Sequence, residues 1–150
     1  MDKKMMGQLI KEKRELLDSI TRKEMKSLQN KNIIIIDDSP ETITILSRFL
    51  RSENEYSLKS YLNEFEALQD IAKEAPDLII MDIGLQTING LKLTKLIQNL
   101  DTYKGPIIYI SATASYKKDI QTLFGKEIPF LVKPINKGEL LKIIEELLGQ

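Results

Sequence analysis

At 150 residues and 42% hydrophobic content, the chain is long enough for one domain with a real core. Its 22 Lys/Arg and 22 Asp/Glu cancel, which excludes a bulk field that would draw it to nucleic acid or a membrane surface. With no cysteine and no histidine, disulfides, thiolate metal sites and the usual imidazole base or ligand are excluded too.

The charge is uneven along the chain: residues 1–31 hold nine Lys/Arg against five Asp/Glu. This stretch has no proline and one glycine, Gly7, and reads as a single helix. Met6, Leu9, Ile10, Leu16, Leu17, Ile20 and Leu28 recur at three- and four-residue spacing, interrupted by Lys13 and Glu24. That is a weak coiled-coil seam. Packing on its own domain and dimerisation are two readings of it.

Asn30-Lys31-Asn32 breaks the helix. Ile33 to Ile36 is four β-branched residues in a row, the mark of a central strand. It runs into Asp37-Asp38-Ser39-Pro40, where Ser39 suits a helix cap and Pro40 its first turn. Ile43, Ile45, Leu46, Phe49 and Leu50 give the next helix a buried face. Tyr56 to Tyr61 is a more polar strand, expected near a sheet edge, and Asn63 to Glu74 a helix with Phe65, Leu68 and Ile71 inward. Leu78 to Met81 shows no alternation, which suits a strand buried on both faces, and it stops at Asp82. A polar loop leads to a helix from Gly90 to Leu100 through Leu91, Leu93, Leu96 and Ile97. Ile107 to Ile110 is another buried strand, ending in Ser111-Ala112-Thr113. A short helix from Tyr116 to Phe124 closes at Gly125, and Pro129 to Val132 is a last short strand before Lys133-Pro134. Asn136 suits the cap of a final helix carrying Leu140, Leu141, Ile143, Ile144, Leu147 and Leu148.

Strands and helices that alternate in this way form a parallel sheet with helices on both faces. The domain organisation is therefore a helical extension over 1–30 and an α/β domain over 31–150. No apolar run approaches the ~20 residues of a membrane span, and the N-terminus lacks a signal-peptide core, so a soluble cytoplasmic protein with no membrane contact is expected.

In a parallel sheet the strand ends share one edge, and ligands bind there. Asp37 and Asp38, Asp82, Ser111 and Lys133 each follow a strand. Three carboxylates in one pocket repel, so ionising all of them calls for a cation. A hard, oxygen-seeking ion such as Mg²⁺ fits. A carboxylate can also attack phosphorus to give an aspartyl phosphate, whose oxygens a hydroxyl and an ammonium would hold. Taken singly, each residue has an ordinary reading. Asp82 could cap a loop, Asp37 and Asp38 a helix, Ser111 could be a turn residue, Lys133 a surface lysine and Phe130 fixed core.

Taken together and in order, they resemble the receiver domain of two-component response regulators over about Lys31 to Gln150. The motifs are Ile36-Asp37-Asp38-Ser39, Met81-Asp82 with Gly90 eight residues on, Ile110-Ser111-Ala112 and Val132-Lys133-Pro134, with twenty-two residues from Ser111 to Lys133. The resemblance implies a flavodoxin-like, doubly wound, five-stranded parallel sheet of order 2-1-3-4-5. It implies that Asp82 accepts phosphate from a histidine kinase or phosphotransfer protein. Asp38 and Asp82 would ligate Mg²⁺ directly, Asp37 through water, with the Gly84 carbonyl completing the site. Ser111 and Lys133 would grip the phosphoryl group, Phe130 would switch inward when Ser111 moves, and the Lys133–Pro134 bond would be cis.

Four positions depart from the family pattern. Gln86 stands where proline is common. Gly84 has no side chain, and Thr113 holds the other position that tunes dephosphorylation. Phe130 lacks the hydroxyl of the commoner tyrosine. The output implied is a switched face over 112–148 that binds a protein target or a second copy, with no direct nucleic-acid contact and no enzyme turnover beyond self-phosphorylation and dephosphorylation. With no output domain expected after Gln150, the reading is a single-domain regulator or the receiver portion of something longer. A phosphorylation-independent module of the same fold is the alternative. An aspartate-nucleophile phosphatase is disfavoured, because those usually need Asp-x-Asp where this chain has Asp37-Asp38, and nucleotide-binding flavodoxin relatives are disfavoured because no glycine-rich phosphate loop is present.

Overall fold

The structure is a computed structural model that describes residues 2–53, 55–85 and 88–149, with the side chains of 20–29 left aside. Gln86, and the side chains of Ile20, Glu24 and Leu28, lie outside the described residues. The chain divides into two compact units, Met1–Asn30 and Lys31–Gln150. The first is one helix, α1, Lys3–Gln29. At 100° per residue, Met6, Leu9, Ile10, Leu16 and Leu17 share one side of it, with Lys13 in their midst.

The second unit holds β1 (Lys31–Ile36), α2 (Pro40–Arg51), β2 (Tyr56–Tyr61), α3 (Glu64–Lys73), β3 (Leu78–Asp82), α4 (Gly90–Asn99), β4 (Ile107–Ser111), α5 (Lys117–Phe124), β5 (Phe130–Val132) and α6 (Lys137–Leu148). A 3₁₀ turn, Ala114–Tyr116, precedes α5. The strands form one parallel sheet in the order β2-β1-β3-β4-β5. The apolar β-branched runs take the centre and the polar strand β2 takes an edge, because only central strands are covered on both faces.

Two cores form, one on each face of the sheet. Ile34, Ile36, Ile79, Met81 and Tyr109 pack with Ala67, Ile71, Leu93, Ile97 and Ile120 from α3, α4 and α5. Ile33, Ile35, Leu78, Ile80, Ile108 and Ile110 pack with Leu46, Leu50, Leu140 and Ile144 from α2 and α6. Side chains alternate between the faces along each strand, so an uninterrupted apolar run serves both cores.

The helices start where their caps stand. Ser39, Asn63, Asn89 and Asn136 each accept a backbone N–H from the first turn of the helix that follows. Two inward expectations are corrected: Ile45 and Phe65 are 46% and 45% exposed, and Leu96, part of the apolar pattern of α4, is 41% exposed. In α2 the buried stripe is Leu46, Ser47 and Leu50; in α3 it is Glu64, Ala67 and Ile71; in α4 it is Gly90, Leu93, Thr94 and Ile97. Each helix docks about one position out of phase with its most apolar arc. Caps and sheet contacts set the rotation, and 100° per residue carries a neighbouring apolar residue out to solvent.

One polar pair lies inside the α3–α5 core. Tyr109 Oη and Thr94 Oγ1 are 2.7 Å apart, and Thr94 Oγ1 donates to the Gly90 carbonyl at 2.7 Å. The Tyr109 ring stacks on Phe124, with centroids 6.1 Å apart. Burial pushes the Tyr109 hydroxyl above its ordinary pKa of 10.0, so the pair stays neutral. Tyr109→Phe should cost about 1 kcal/mol in urea unfolding, the usual net value of one buried hydrogen bond. An unchanged midpoint would mean that this pair adds nothing to stability. Among the described residues, no helix is long and apolar enough to cross a membrane.

Candidate functional site

The register of the sheet assembles the site. Ile36 pairs with Met81, so Asp37 and Asp82 come next to one another at adjacent strand ends. Asp82 pairs with Ile110 and Ser111 with Val132, which bring Ser111 and Lys133 to the same edge. The ladder continues past the strands: Asp37 N–H donates to the Tyr61 carbonyl at 3.1 Å, Ile83 to Ile110 at 3.0 Å and Lys133 to Ser111 at 2.8 Å. These bonds hold the backbone at the ends of β1, β3, β4 and β5.

Lys133 joins two of the acids. Its Nζ lies 2.9 Å from Asp37 Oδ2 and 3.5 Å from Asp82 Oδ2. Asp37 is fully buried. Its Oδ1 accepts the Ser39 N–H at 2.8 Å, whereas Oδ2 accepts no well-aligned hydrogen bond and its contact with Lys133 is a bare ion pair. Burial pushes the Asp37 carboxyl above its ordinary pKa of 3.8, and the Asp82 charge adds to this, against the pull of Lys133 and the Ser39 amide. Burial alone would lower Lys133, but its pairing with Asp37 and Asp82 prevails and leaves it above 10.5.

Asp37, Asp38 and Asp82 each offer a carboxylate oxygen, all within 4.8 Å of one another. This donor set fits a hard divalent cation. The oxygens are close enough to share one, and Asp37 Oδ2 is a buried acceptor without an aligned donor. Asp82 Oδ1 accepts the Gly84 N–H at 3.2 Å. A Cβ at Gly84 would stand 3.8 Å from Asp82 Oδ1, so this side of the carboxylate is open.

Ser111 is buried, and its Oγ accepts the Thr113 N–H at 3.2 Å. Among the described residues, no hydrogen bond joins Ser111 Oγ to Asp82. Phe130 is half-buried against the α3–α5 core, paired in register with Tyr109. The Lys133–Pro134 bond is cis.

Gly90 is needed for close approach. A Cβ there would come 2.9 Å from Ile83 Cα and 3.0 Å from the Asp82 carbonyl oxygen. Backbone must shift to admit it, and the backbone in question carries Asp82. Gly90→Ala is expected to cost about 1–3 kcal/mol by urea denaturation, the range for overpacking. A wild-type midpoint would show that the loop gives way freely. Sequence reasoning passed over one residue here: Glu64, 2% exposed, whose Oε1 accepts the Ile88 N–H at 2.9 Å. The signal available was its place in the Glu64–Ala67–Leu68–Ile71 stripe.

A family model described as the response regulator receiver domain matches residues 33–145. The chain belongs to that family. The response regulator GtcR of Aneurinibacillus migulanus is 33% identical over 77% of this chain and 47% of its own length. The transcriptional regulatory protein GlrR of Escherichia coli is 28% identical over 79% of this chain and 26% of its own. This receiver therefore spans half or less of the length of those two regulators. Among solved structures, the response regulator protein TrrA of Thermotoga maritima, in complex with Mg²⁺-BeF, matches with a TM-score of 0.69 and 29% identity. It covers 79% of this chain and 99% of that one.

Proposed function

We propose that this receiver is a Mg²⁺-dependent phosphorylation switch in two-component signalling, with Asp82 as the phosphoacceptor and residues 31–150 as the switching domain. The observation that carries it is the junction of Lys133 with Asp37 and Asp82, 2.9 Å and 3.5 Å away, beside three carboxylates that share one cation-sized space. Asp37, Asp38 and Asp82, with the Gly84 carbonyl, would hold the ion. Bound Mg²⁺ supplies charge neutralisation for the phosphoryl oxygens.

The rest falls to the chain's own groups. Asp82 presents a carboxylate oxygen as nucleophile, with Oδ1 already fixed by the Gly84 amide. Lys133 stays charged and faces Asp82, so it is placed to hold a phosphoryl oxygen. Ser111 would trade its bond with the Thr113 amide for one to the phosphoryl group, and Phe130 would turn into the space this leaves. The bare side of Asp82 at Gly84 leaves room for a water to reverse the reaction. The phosphodonor is a histidine kinase or phosphotransfer protein, and the output is a downstream protein or a second copy of the chain. A groove of about 540 Å³ between α2 and the Lys133–Ile135 turn, lined by Ile45, Phe49 and Ala112, borders the site and suits such a donor. Its apolar lining accounts for an outward Ile45.

The test is intact mass after incubation with Mg²⁺ and acetyl phosphate or phosphoramidate. One phosphoryl group gained by the wild type supports the switch. No gain, with Mg²⁺ shown to bind and a cognate kinase also inactive on the protein, would favour a phosphorylation-independent module.

A further inference from the structure

Glu64 is a buried carboxyl side chain that the proposed switch leaves without a task. It opens α3 directly after the Asn63 cap and is 2% exposed. A glutamate is rarely so buried without a partner that holds it. Among its interactions, Oε1 accepts the backbone N–H of Ile88, 24 residues along the chain, at 2.9 Å. A helix start suits a carboxyl side chain, since the helix dipole favours negative charge there.

Ile88 belongs to the connection between Asp82 and α4. That connection is closed at its base, where Gly90 N–H donates to the Ile83 carbonyl at 2.9 Å. Glu64 ties it a second time, from a different helix. Gly84 lies in the same connection, with its amide on Asp82 Oδ1. We propose that Glu64 is a positioning residue for the acceptor loop. Its carboxylate anchors Ile88 and thereby holds the Gly84 backbone where the Asp82 carboxylate and a bound cation need it. The inference rests on the proposed function for its purpose, and on Ile88 for its geometry.

The test compares Glu64→Ala and Glu64→Gln with the wild type in the full chain. Three readouts are taken: amide exchange at Ile88 by NMR, the Mg²⁺ dissociation constant from amide shifts, and phosphoryl uptake from acetyl phosphate. In Glu64→Ala, the Ile88 amide should lose protection and Mg²⁺ should bind about tenfold more weakly, as when a metal site loses an outer partner. Glu64→Gln keeps an oxygen within reach of Ile88 and should restore most of the Mg²⁺ affinity. A merely structural Glu64 would lower thermal stability and leave the Mg²⁺ affinity of the folded protein unchanged, and that outcome overturns the proposal. Should Glu64→Ala not fold, Glu64→Asp replaces it. Aspartate keeps a carboxyl group at the helix start but is one methylene short of Ile88, so unchanged Mg²⁺ binding there is equally decisive. A wild type that binds Mg²⁺ yet takes no phosphoryl group from acetyl phosphate or from a cognate kinase would sink the switch, while the Mg²⁺ comparison still judges Glu64.

Discussion

Asp82→Asn is expected to take up phosphoryl groups at least about 10³-fold more slowly than the wild type, a loss of about 4 kcal/mol of transition-state stabilisation. The amide keeps the shape of the carboxylate and can keep its contact with Gly84, but it has no anionic oxygen to attack phosphorus. The neighbouring acids are poor substitutes. Asp37 is fully buried, with one oxygen on the Ser39 amide and the other on Lys133. Asp38 is more open, but it stands after β1 rather than at the end of the central strand β3. Intact mass with Mg²⁺ and acetyl phosphate decides the matter. Comparable uptake by Asp82→Asn would move the acceptor to another residue and undo the assignment.

Lys133→Ala should lower folding stability by about 2–3 kcal/mol as well as impairing phosphoryl uptake. Removing one partner strands a buried charge on the other, which typically costs 3–5 kcal/mol; the Lys133 side chain is 22% exposed, so solvent screens part of the effect. The sign with pH follows from Asp37. Its folded pKa lies above 3.8. Between that value and its raised one, the folded state keeps a proton that the unfolded state has lost, so stability falls as pH rises through the window. Without Lys133 the carboxyl rises further and the loss deepens. Lys133 contributes at the other end: its stabilisation is complete below 10.5 and fades as pH climbs through its raised folded value. Thermal melts in EDTA should therefore show a larger Lys133→Ala deficit near pH ~7 than near pH ~4. Added Mg²⁺ should stabilise the variant more than the wild type, by neutralising the same carboxylates. An equal deficit at both pH values would mean that Asp37 does not carry the charge at issue.

The apolar runs Ile33–Ile36, Leu78–Met81 and Ile107–Ile110 were legible as strands because four consecutive apolar, largely β-branched residues suit little else in a chain of this kind. Their alternation with helical stretches was enough for a parallel sheet, and a parallel sheet places every strand's C-terminal residue on one edge. Asp37, Asp38, Asp82, Ser111 and Lys133 could therefore be grouped before any coordinates. The helix caps at Ser39 and Asn136 were legible too, since they depend on neighbours within four residues.

The rotation of each helix was not legible. Ile45 beside Leu46, Phe65 beside Glu64 and Leu96 beside Ile97 are adjacent pairs, and local spacing cannot say which member faces the sheet when both choices give a plausible stripe. Docking decides it, because the cap and the strand contacts fix the helix rotation and a single residue step turns the buried arc by 100°. The same holds for Glu64 and for the Tyr109–Thr94 pair, whose partners lie 24 and 15 residues away and meet only once the elements are stacked. Composition, period and strand-end chemistry are properties of short segments, and the chain carries them wherever it goes. Helix phase, buried polar contacts and the 2.9 Å approach of Lys133 to Asp37 come from distant segments sharing one packed interior, where burial makes each contact strong enough to matter.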